Sequence, residues 1–238
     1  MTGKENTEIQ IVNGTKYLVN PLSWERIKWI VGNNKLELFA RSPTEAKKYK
    51  EFRDSFKSSS STTSLYKRLV CQQLQWAPLS IINDPNIADT DIEISSASKT
   101  LFYAASDIKI LKNDFPYHFE KAVTHLLVWT KVPIPSDPQS KDGDISPATR
   151  RVINKYISKT FMSSNEGSRM RVESGNIMWF RNWSALQSVK QISHIHVLIH
   201  GASDEDIERV VGSSGIPLTL EEIEEAENHK NLNVKENL

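Results

Sequence analysis

A seven-residue run toward the end of the chain, His-Ile-His-Val-Leu-Ile-His at 194–200, restricts the fold more than any other feature. Successive side chains of a β-strand point to opposite faces. One face of this strand would carry three β-branched residues, Ile195, Val197 and Ile199, and the other face three histidines and Leu198. Three branched aliphatic side chains on one face require a hydrophobic core. The run therefore predicts a strand in a sheet that is covered on that side.

Apolar and turn-forming patterns elsewhere supply the partners of this strand. Residues 126–129 form a continuous apolar run, typical of a strand buried on both faces, and 108–110 and 177–181 carry two more strand patterns. Asn13-Gly14 divides two β-prone runs in 9–19 and predicts a short hairpin. Caps and helical spacing predict helices over 21–31 with Pro21 first, 42–56, 65–76 and 146–161, and after Ser203 and Thr219. We therefore predict an α+β fold with helices packed on a mainly antiparallel sheet.

The remaining segments define the domain organisation. Residues 58–64, 77–106, 133–146 and 163–175 have no clear helical or strand period and predict irregular segments. A chain of 238 residues matches one large domain, and no repeat or sharp change in composition divides it. We predict a hairpin-containing N-terminal segment over 1–19, one α+β domain over 20–230 and a flexible tail over 231–238.

Cysteine content and hydropathy bear on where the protein works. The single cysteine, Cys71, excludes an internal disulfide. No apolar run approaches the roughly 20 residues of a membrane-spanning helix. The polar start MTGKENTEIQ lacks the apolar stretch of a secretory signal. We expect a cytoplasmic protein, with the nucleus as a second compartment, and no membrane partner.

Charge is distributed unevenly along the chain. The net charge of +1 predicts no specific nucleic-acid partner. However, residues 24–68 are rich in lysine and arginine, and the stretch after Ser203 is acidic. The first pattern is typical of solvated helix faces or of a site near a phosphate-bearing ligand. The second leaves open a protein partner bound through the acidic C-terminal helices.

The alternating histidines are the candidate catalytic residues. An imidazole can act as an acid, a base, a nucleophile or a metal ligand near neutral pH. A row of imidazoles opposite an aliphatic face is unusual for a purely structural strand, although hydrogen-bonded surface histidines are the alternative. We select His194 and His196 as the catalytic candidates.

Two polar segments supply the candidate ligand-binding residues. The turn Asn113-Asp114-Phe115-Pro116-Tyr117 precedes a strand that begins near His125 and ends near Lys131. Asp114 could instead cap backbone amides of this turn. Asn182 and Ser188 follow the strand pattern at 177–181. The candidate ligand-binding set is Asn113, Asp114, Tyr117, His125, Lys131, Asn182 and Ser188.

The chain carries none of the common cofactor or hydrolase motifs. It has no P-loop, no GxGxxG, no GxSxG and no HExxH sequence. We expect no cofactor and no metal. The alternative is a histidine-only metal site from His194, His196 and His200, with His118 or His125 as a further ligand.

These motifs together resemble a fungal family of N-acetylglucosamine-induced proteins whose domain is otherwise of unknown function. The resemblance spans roughly residues 20–200 and implies a cytosolic or nuclear protein connected with the response to amino sugars. It implies no established reaction. It is carried by Trp24, Leu38, Arg41-Ser42-Pro43, Tyr49, Asn113-Asp114-Phe115-Pro116-Tyr117, His125, Trp129-Thr130-Lys131, Trp179-Phe180-Arg181-Asn182-Trp183 and His194-Ile195-His196-Val197.

A second resemblance concerns mechanism. The order His125-Leu-Leu-Val-Trp-Thr-Lys131, a helix, Asn182, Gln187-Ser188-Val189 and the histidine strand is similar to that of the histidine-triad nucleotide hydrolases and transferases. The resemblance implies a histidine that attacks the α-phosphate of a nucleotide and forms a nucleotidyl-histidine intermediate. The triad consists of three alternating histidines, and the central one is the nucleophile. In one register His194 is this central histidine and His196 is the third, so that Ile192 occupies the position of the first. In the other register His196 is the nucleophile, His194 comes first and Leu198 stands third.

Three hypotheses about function follow. The first is an enzyme acting on a nucleotide sugar or related phosphate ester through a His194 or His196 nucleophile. The second is a non-catalytic regulatory protein that binds such a ligand, because either register lacks one histidine of the triad. The third is a protein-interaction adaptor that uses the acidic C-terminal helices.

Overall fold

The histidine strand lies inside a four-stranded antiparallel sheet. The computed structural model describes residues 9–12, 14–57, 63–162, 170, 172–183, 185–187 and 189–228. Within these residues the strands are β1 (Ile9–Val12), β2 (Thr15–Leu18), β3 (Ile108–Lys112), β4 (Val123–Thr130), β5 (Ile177–Phe180) and β6 (Ser193–His200). The four-stranded sheet has the order β3-β4-β6-β5, and β1 and β2 form a separate two-stranded sheet.

Helices cover both faces of the larger sheet. The described helices are α1 (Trp24–Gly32), α2 (Pro43–Ser55), α3 (Leu65–Lys67), α4 (Pro147–Phe161), α5 (Asp204–Val210) and α6 (Leu220–Asn228). Helix α3 continues as a π-helix over Arg68–Gln73. Short 3-10 turns occupy Leu36–Leu38, Leu79–Ile81, Asp89–Asp91, Ala105–Asp107 and Ser174–Asn176. The α+β fold predicted from the sequence is confirmed.

The register of β4 against β6 decides which side chains share a face. Leu198 lies opposite His125, His196 opposite Leu127, and His194 opposite Trp129. Directly opposed residues of an antiparallel pair project to the same side of the sheet. His125 therefore lies on the same face as His194 and His196.

The aliphatic face of β6 forms the main core of the molecule, as the alternation predicts. Ile195, Val197 and Ile199 are fully buried in one hydrophobic cluster. Side chains of α4, including Ile153 and Ile157, and residues of α5 and α6 belong to the same cluster. Branched aliphatic side chains suit this role because they pack well on a pleated surface.

The histidine face is covered by two smaller clusters. One contains α1 and the Leu36–Leu38 turn, together with Met178, Phe180 and Leu198 of the sheet. The other contains residues of α3 and the π-helix together with Trp129 and Ile192. The space between these two clusters is where the sheet opens to a cavity.

Most capping predictions are confirmed. The hydroxyl of Ser42 accepts a hydrogen bond from the Glu45 amide and begins α2. Ser146, Ser203 and Thr219 cap α4, α5 and α6 in the same way. The predicted hairpin is present as β1 paired with β2, although Asn13 of its turn lies outside the described residues.

Two helix predictions are wrong in their bounds. Helix α1 begins at Trp24 rather than Pro21, because Ser23 provides the cap and Leu22 exchanges backbone hydrogen bonds with His118 and Glu120. The predicted helix over 65–76 is α-helical for three residues only and then widens into the π-helix. Sequence patterns of apolar spacing do not separate these helix types.

Several predictions fall partly or wholly outside the described residues. These include most of the loops at 58–64 and 163–175 and the tail at 231–238. The division into an N-terminal segment, one domain and a tail stays a prediction. No helix in the described part of the chain is both long and apolar enough to cross a membrane.

Candidate functional site

The histidine face of the sheet opens into a cavity of about 340 Å³. Its walls come from β4 and β6, the turn after β3, α2, the π-helix and the segment after β5. Its aromatic lining consists of Tyr49, Phe52, Phe115, Tyr117 and Trp129. Its polar lining consists of Arg41, Arg53, Gln73, Lys112, Asn113, Asp114, Asn182, Gln187, His194 and His196. An apolar concavity with a few convergent polar groups is the usual form of a small-molecule site.

A buried pair of histidines lies at the base of this cavity. The Nε2 atom of His125 lies 2.9 Å from Nδ1 of His196, across the β4–β6 pair. His196 stacks face to face on Phe180 of the neighbouring strand, with ring centroids 4.6 Å apart. The ring of His194 lies 5.3 Å from that of His196. His194 and His196 line the cavity, and His125 supports His196 from behind.

Asn182 sets the protonation pattern of the pair. It follows β5, and Gln187 donates a hydrogen bond to its backbone carbonyl at 2.7 Å. Its Nδ2 amide lies 3.2 Å from Nε2 of His196 and donates to the Tyr117 hydroxyl at 3.2 Å. Because an amide N–H only donates, Nε2 of His196 acts as the acceptor and the ring proton sits on Nδ1. His196 then donates that proton's hydrogen bond to His125.

One polar atom of this network is unsatisfied. The Oδ1 atom of Asn182 is buried and has no hydrogen-bond partner among the described residues. The same holds for the indole Nε1 of Trp129, whose ring lies 4.3 Å from that of His194. A buried polar group without a partner costs free energy, and a role in a functional site is one explanation for it.

His194 has a different hydrogen-bond arrangement. Its Nδ1 atom faces the backbone carbonyl of Ile192 at 3.3 Å. A carbonyl only accepts, so in the neutral ring the proton is on Nδ1 and Nε2 keeps its lone pair. No hydrogen-bond partner of that Nε2 atom is present in the described part of the chain. His194 therefore offers an unprotonated nitrogen at the cavity.

Burial keeps all three imidazoles neutral. It lowers the pKa of His125 to about 3, with smaller effects of Arg41 and His194. It lowers the pKa of His194 to about 4, against the opposing effect of the Ile192 carbonyl. Burial, followed by the proximity of His125, lowers the pKa of His196 well below 6.5. At neutral pH the cluster can accept hydrogen bonds or attack an electrophile, but it carries no imidazolium.

Arg41 brings positive charge to the cavity. Its guanidinium donates from Nε to the Phe115 carbonyl at 2.9 Å and lies 3.8 Å above the centre of the Tyr49 ring. Burial lowers the pKa of Arg41 from its usual value. No carboxylate of the described residues forms an ion pair with it. A partly buried cation without a paired anion is suited to binding an anionic ligand.

The turn after β3 forms one wall of the cavity. The Oδ1 atom of Asn113 accepts from the Phe115 amide at 3.0 Å, and its Nδ2 lies 3.3 Å from Nε2 of His125. Asp114 accepts a 2.7 Å hydrogen bond from Gln73 of the π-helix. The turn is thus tied to the histidine pair on one side and to the π-helix on the other.

Some predicted residues lie elsewhere. Lys131 approaches Asp107 at 3.8 Å and Trp76 rather than the cavity. His200 stacks on Trp24 and lies 3.5 Å from Glu120, because it stands near the far end of β6. Ser188 lies outside the described residues.

The three-histidine metal alternative is not assembled. His118 faces the Leu18 carbonyl at 3.0 Å through Nδ1, and His200 is held at the end of β6. Across the described residues, no group of three or more histidine, cysteine, aspartate or glutamate side chains is placed to hold a metal ion.

The structure adds residues that the site prediction omitted. Arg41, Tyr49, Phe52, Gln73 and Phe180 line the cavity or contact its histidines. Arg41, Tyr49 and Phe180 are among the residues that carry the family resemblance, and this resemblance could have marked them as site residues. Gln73 had none, because its position depends on the π-helix.

Comparisons with known proteins identify the family. The profile of the family described as "Protein of unknown function (DUF3605)" matches residues 23–200. N-acetylglucosamine-induced protein 1 of Candida albicans is 35% identical over 206 residues, covering 85% of this chain and 78% of that protein. Uncharacterized protein YPL067C of Saccharomyces cerevisiae is 30% identical over 190 residues, covering 79% of this chain and 84% of that protein. The crystal structure of HTC1 superimposes with a TM-score of 0.58 at 26% identity, covering 83% of this chain and 99% of that one. The chain therefore belongs to the DUF3605 family of fungal N-acetylglucosamine-induced proteins.

Proposed function

We propose that the cavity binds a nucleotide-containing phosphate anhydride, such as a nucleotide sugar, and that His194 attacks its phosphorus. The observation that carries this proposal is the state of His194. Its Nδ1 proton is committed to the Ile192 carbonyl, and its Nε2 lone pair is unpartnered among the described residues at the wall of the cavity. A histidine in this state is an activated nucleophile at neutral pH, because no proton has to be removed before it reacts.

The absence of the first histidine of the triad does not remove the contact between His194 Nδ1 and the Ile192 carbonyl. In the register where His194 is the nucleophile, Ile192 stands in the first place. The contact that orients His194 comes from the backbone carbonyl of Ile192 rather than from its side chain. Any residue can supply a carbonyl, so the His194 register is favoured over the one centred on His196, whose Nδ1 and Nε2 both have partners.

The charge state of the histidines limits which substrates could react in the cavity. The lowered pKa values of His194 and His196 leave neither as an imidazolium that could protonate a leaving group. The suitable substrate therefore has a leaving group that departs as an anion, which a phosphate anhydride provides. The Nε2–phosphorus bond would form as the anhydride P–O bond breaks, and water would later release the nucleotide from His194. Arg41 would balance the phosphate charge.

The second candidate is a protein that binds the same ligand without turnover. The hydrogen bonds that occupy both nitrogens of His196 favour it, because that ring then cannot also exchange protons with a substrate. The two candidates share a pocket and differ only in whether a product forms.

The test combines ligand binding with turnover. The purified chain would be incubated with UDP-N-acetylglucosamine, other nucleotide sugars and sugar phosphates, and thermal shift and released nucleotide would be measured. A ligand at 100 times its dissociation constant stabilises a fold by about 2.7 kcal/mol, which amounts to several degrees. We expect His194→Ala to lower turnover by more than about a hundredfold. His200→Ala, on the same strand and face, should leave it unchanged.

The outcomes separate the candidates. Release of nucleotide that depends on His194 supports the enzyme. Stabilisation by a nucleotide sugar without any histidine-dependent product supports the binding protein. Absence of both stabilisation and product with every nucleotide compound would contradict both.

A further inference from the structure

A second concavity lies beside the histidine cavity, between the β1–β2 hairpin and α2. It has a volume of about 350 Å³ and is lined by five cationic side chains, those of Lys16, Arg41, Lys50, Arg53 and Lys57. Among its described lining residues Asp54 is the one carboxylate. We call this concavity the cationic groove. The groove includes part of the lysine- and arginine-rich region between residues 24 and 68.

The cations of the groove are not neutralised equally. Lys50 and Lys57 share Asp54, with Nζ–Oδ distances of 2.7 and 3.2 Å. Lys16, Arg41 and Arg53 have no ion-pair partner among the described residues. On the outer side of the same helix the lysines are paired, Lys48 with Glu45 at 2.7 Å and Lys47 with Glu51 at 3.8 Å. The unpaired charge of α2 is therefore concentrated in the groove.

Two of these unpaired cations are held close together. The guanidinium carbons of Arg41 and Arg53 lie 3.8 and 5.7 Å from the centre of the same Tyr49 ring. Each gains from the electron-rich ring face. Their mutual repulsion is one cause of the lowered pKa of Arg41. An anion bound between them would relieve this repulsion and replace the missing carboxylate.

The groove and the histidine cavity share a wall. Arg41, Tyr49 and Arg53 line both spaces. Arg41 also lies 5.5 Å from the Tyr117 ring, and Tyr117 contacts both His125 and His196. The two spaces are therefore adjacent, and Arg41 lies at their boundary.

We propose that the cationic groove is a second phosphate-binding site, which holds phosphate groups of the ligand that are remote from the phosphorus facing His194. This inference rests on the proposed function for the identity of the ligand's other end. The proposed ligand therefore has either a chain of phosphates or a separate phosphorylated end, in addition to the phosphate in the histidine cavity. Lys16 and Arg53 would contact these remote phosphates, and Arg41 would lie between the two sites.

Binding of inorganic tripolyphosphate tests the groove directly. The full chain would be titrated calorimetrically with tripolyphosphate in metal-free buffer at low ionic strength. We expect Arg53→Gln and Lys16→Gln each to weaken binding about tenfold, since each removes a charge-assisted contact. Lys47→Gln removes the same charge from the outer side of α2 and should change the affinity less than about twofold. Unchanged melting temperatures would show that the variants are folded.

The same titration on His194→Ala distinguishes this proposal from the proposed function. Wild-type affinity of His194→Ala for tripolyphosphate places the phosphates in the groove, whether or not the histidines perform chemistry. Loss of binding in His194→Ala would place them in the histidine cavity and overturn the groove. Equal effects of Lys47→Gln and Arg53→Gln, or no binding by the wild-type chain, would also overturn it.

Discussion

At the scale of single residues, the Tyr117 hydroxyl holds the amide that orients His196. It accepts a hydrogen bond from Asn182 Nδ2 at 3.2 Å, and its ring stacks on Phe39. Tyr117→Phe keeps the stacking but leaves one donor of a buried amide unpaired. We expect this change to lower the free energy of unfolding by about 1 to 2 kcal/mol. Urea denaturation at neutral pH measures it.

Tyr49→Phe is the matched control. The Tyr49 ring also lines the cavity, but its contacts in the described residues are with rings and guanidinium groups. Losing its hydroxyl should cost less than about 0.5 kcal/mol. Equal losses for the two variants would show that the Asn182 contact contributes nothing, and the protonation pattern assigned to His196 would lose its support.

The alternation of side chains along β6 could be predicted from the sequence, but the burial and contacts of its histidines could not. Period-two spacing correctly separates His194 and His196 from the aliphatic face. His196 is buried against Phe180 and Tyr117, and His194 against Trp129. The His125–His196 contact depends on the β4–β6 register. Both are long-range features that local spacing does not encode. Arg41 is positioned at the cavity for the same reason, because its own backbone pairs with Leu18 and that of Ala40 pairs with His118.

At the scale of elements, the connection between α5 and α6 depends on Gly215. This glycine has φ +64°, and a Cβ built there would lie 2.6 Å from the Tyr156 hydroxyl of α4. Tyr156 cannot yield, because it is fully buried and stacked 4.1 Å from Phe102. Gly215→Ala should therefore cost about 1 to 2 kcal/mol of backbone strain and about 1 to 3 kcal/mol of overpacking. Chemical denaturation gives the sum.

Gly212→Ala isolates the strain. Gly212 has φ +81°, but a Cβ added there would meet no described atom within 4 Å. Its substitution should cost only the strain, about 1 to 2 kcal/mol. Similar losses in both variants would mean that Tyr156 and Thr160, which both lie 2.6 Å from the added Cβ, move aside and that the close approach is not a constraint.

Local chemistry explains why the elements were more predictable than their junctions. The caps at Ser42, Ser146, Ser203 and Thr219 act within three residues, so the sequence displays them in full. The start of α1 depends instead on pairing of Leu22 with a segment about a hundred residues away. The helix predicted over 65–76 failed for another reason, because apolar spacing does not distinguish an α-helix from the π-helix at Arg68–Gln73.

At the scale of the whole molecule, three neutral histidines beneath one cavity make folding sensitive to acid. The unfolded histidine pKa is near 6.5, and burial lowers the pKa of His125 to about 3 and of His194 to about 4. Between these values and 6.5 the unfolded chain binds more protons than the folded one, so stability falls as the pH falls. From pH 7 to pH 5 each of these two histidines should cost about 2 kcal/mol, and the loss levels off below the folded values.

Single variants assign this loss to the buried cluster. His125→Gln removes one titrating group, so its unfolding free energy, measured by urea at pH 7, 6 and 5, should fall less steeply than that of the wild-type chain. His200→Gln is the control, because His200 shares the strand face but is partly exposed beside Glu120. This variant removes a histidine from the same strand without changing the buried cluster at the cavity. If both variants flatten the profile equally, or neither does, the acid sensitivity comes from other groups and the histidines at the cavity are not held neutral by burial. A flattened slope confined to His125→Gln would show that burial keeps the His125 imidazole unprotonated in the folded chain, and the proposed attack by His194 requires the same neutral state of its own ring.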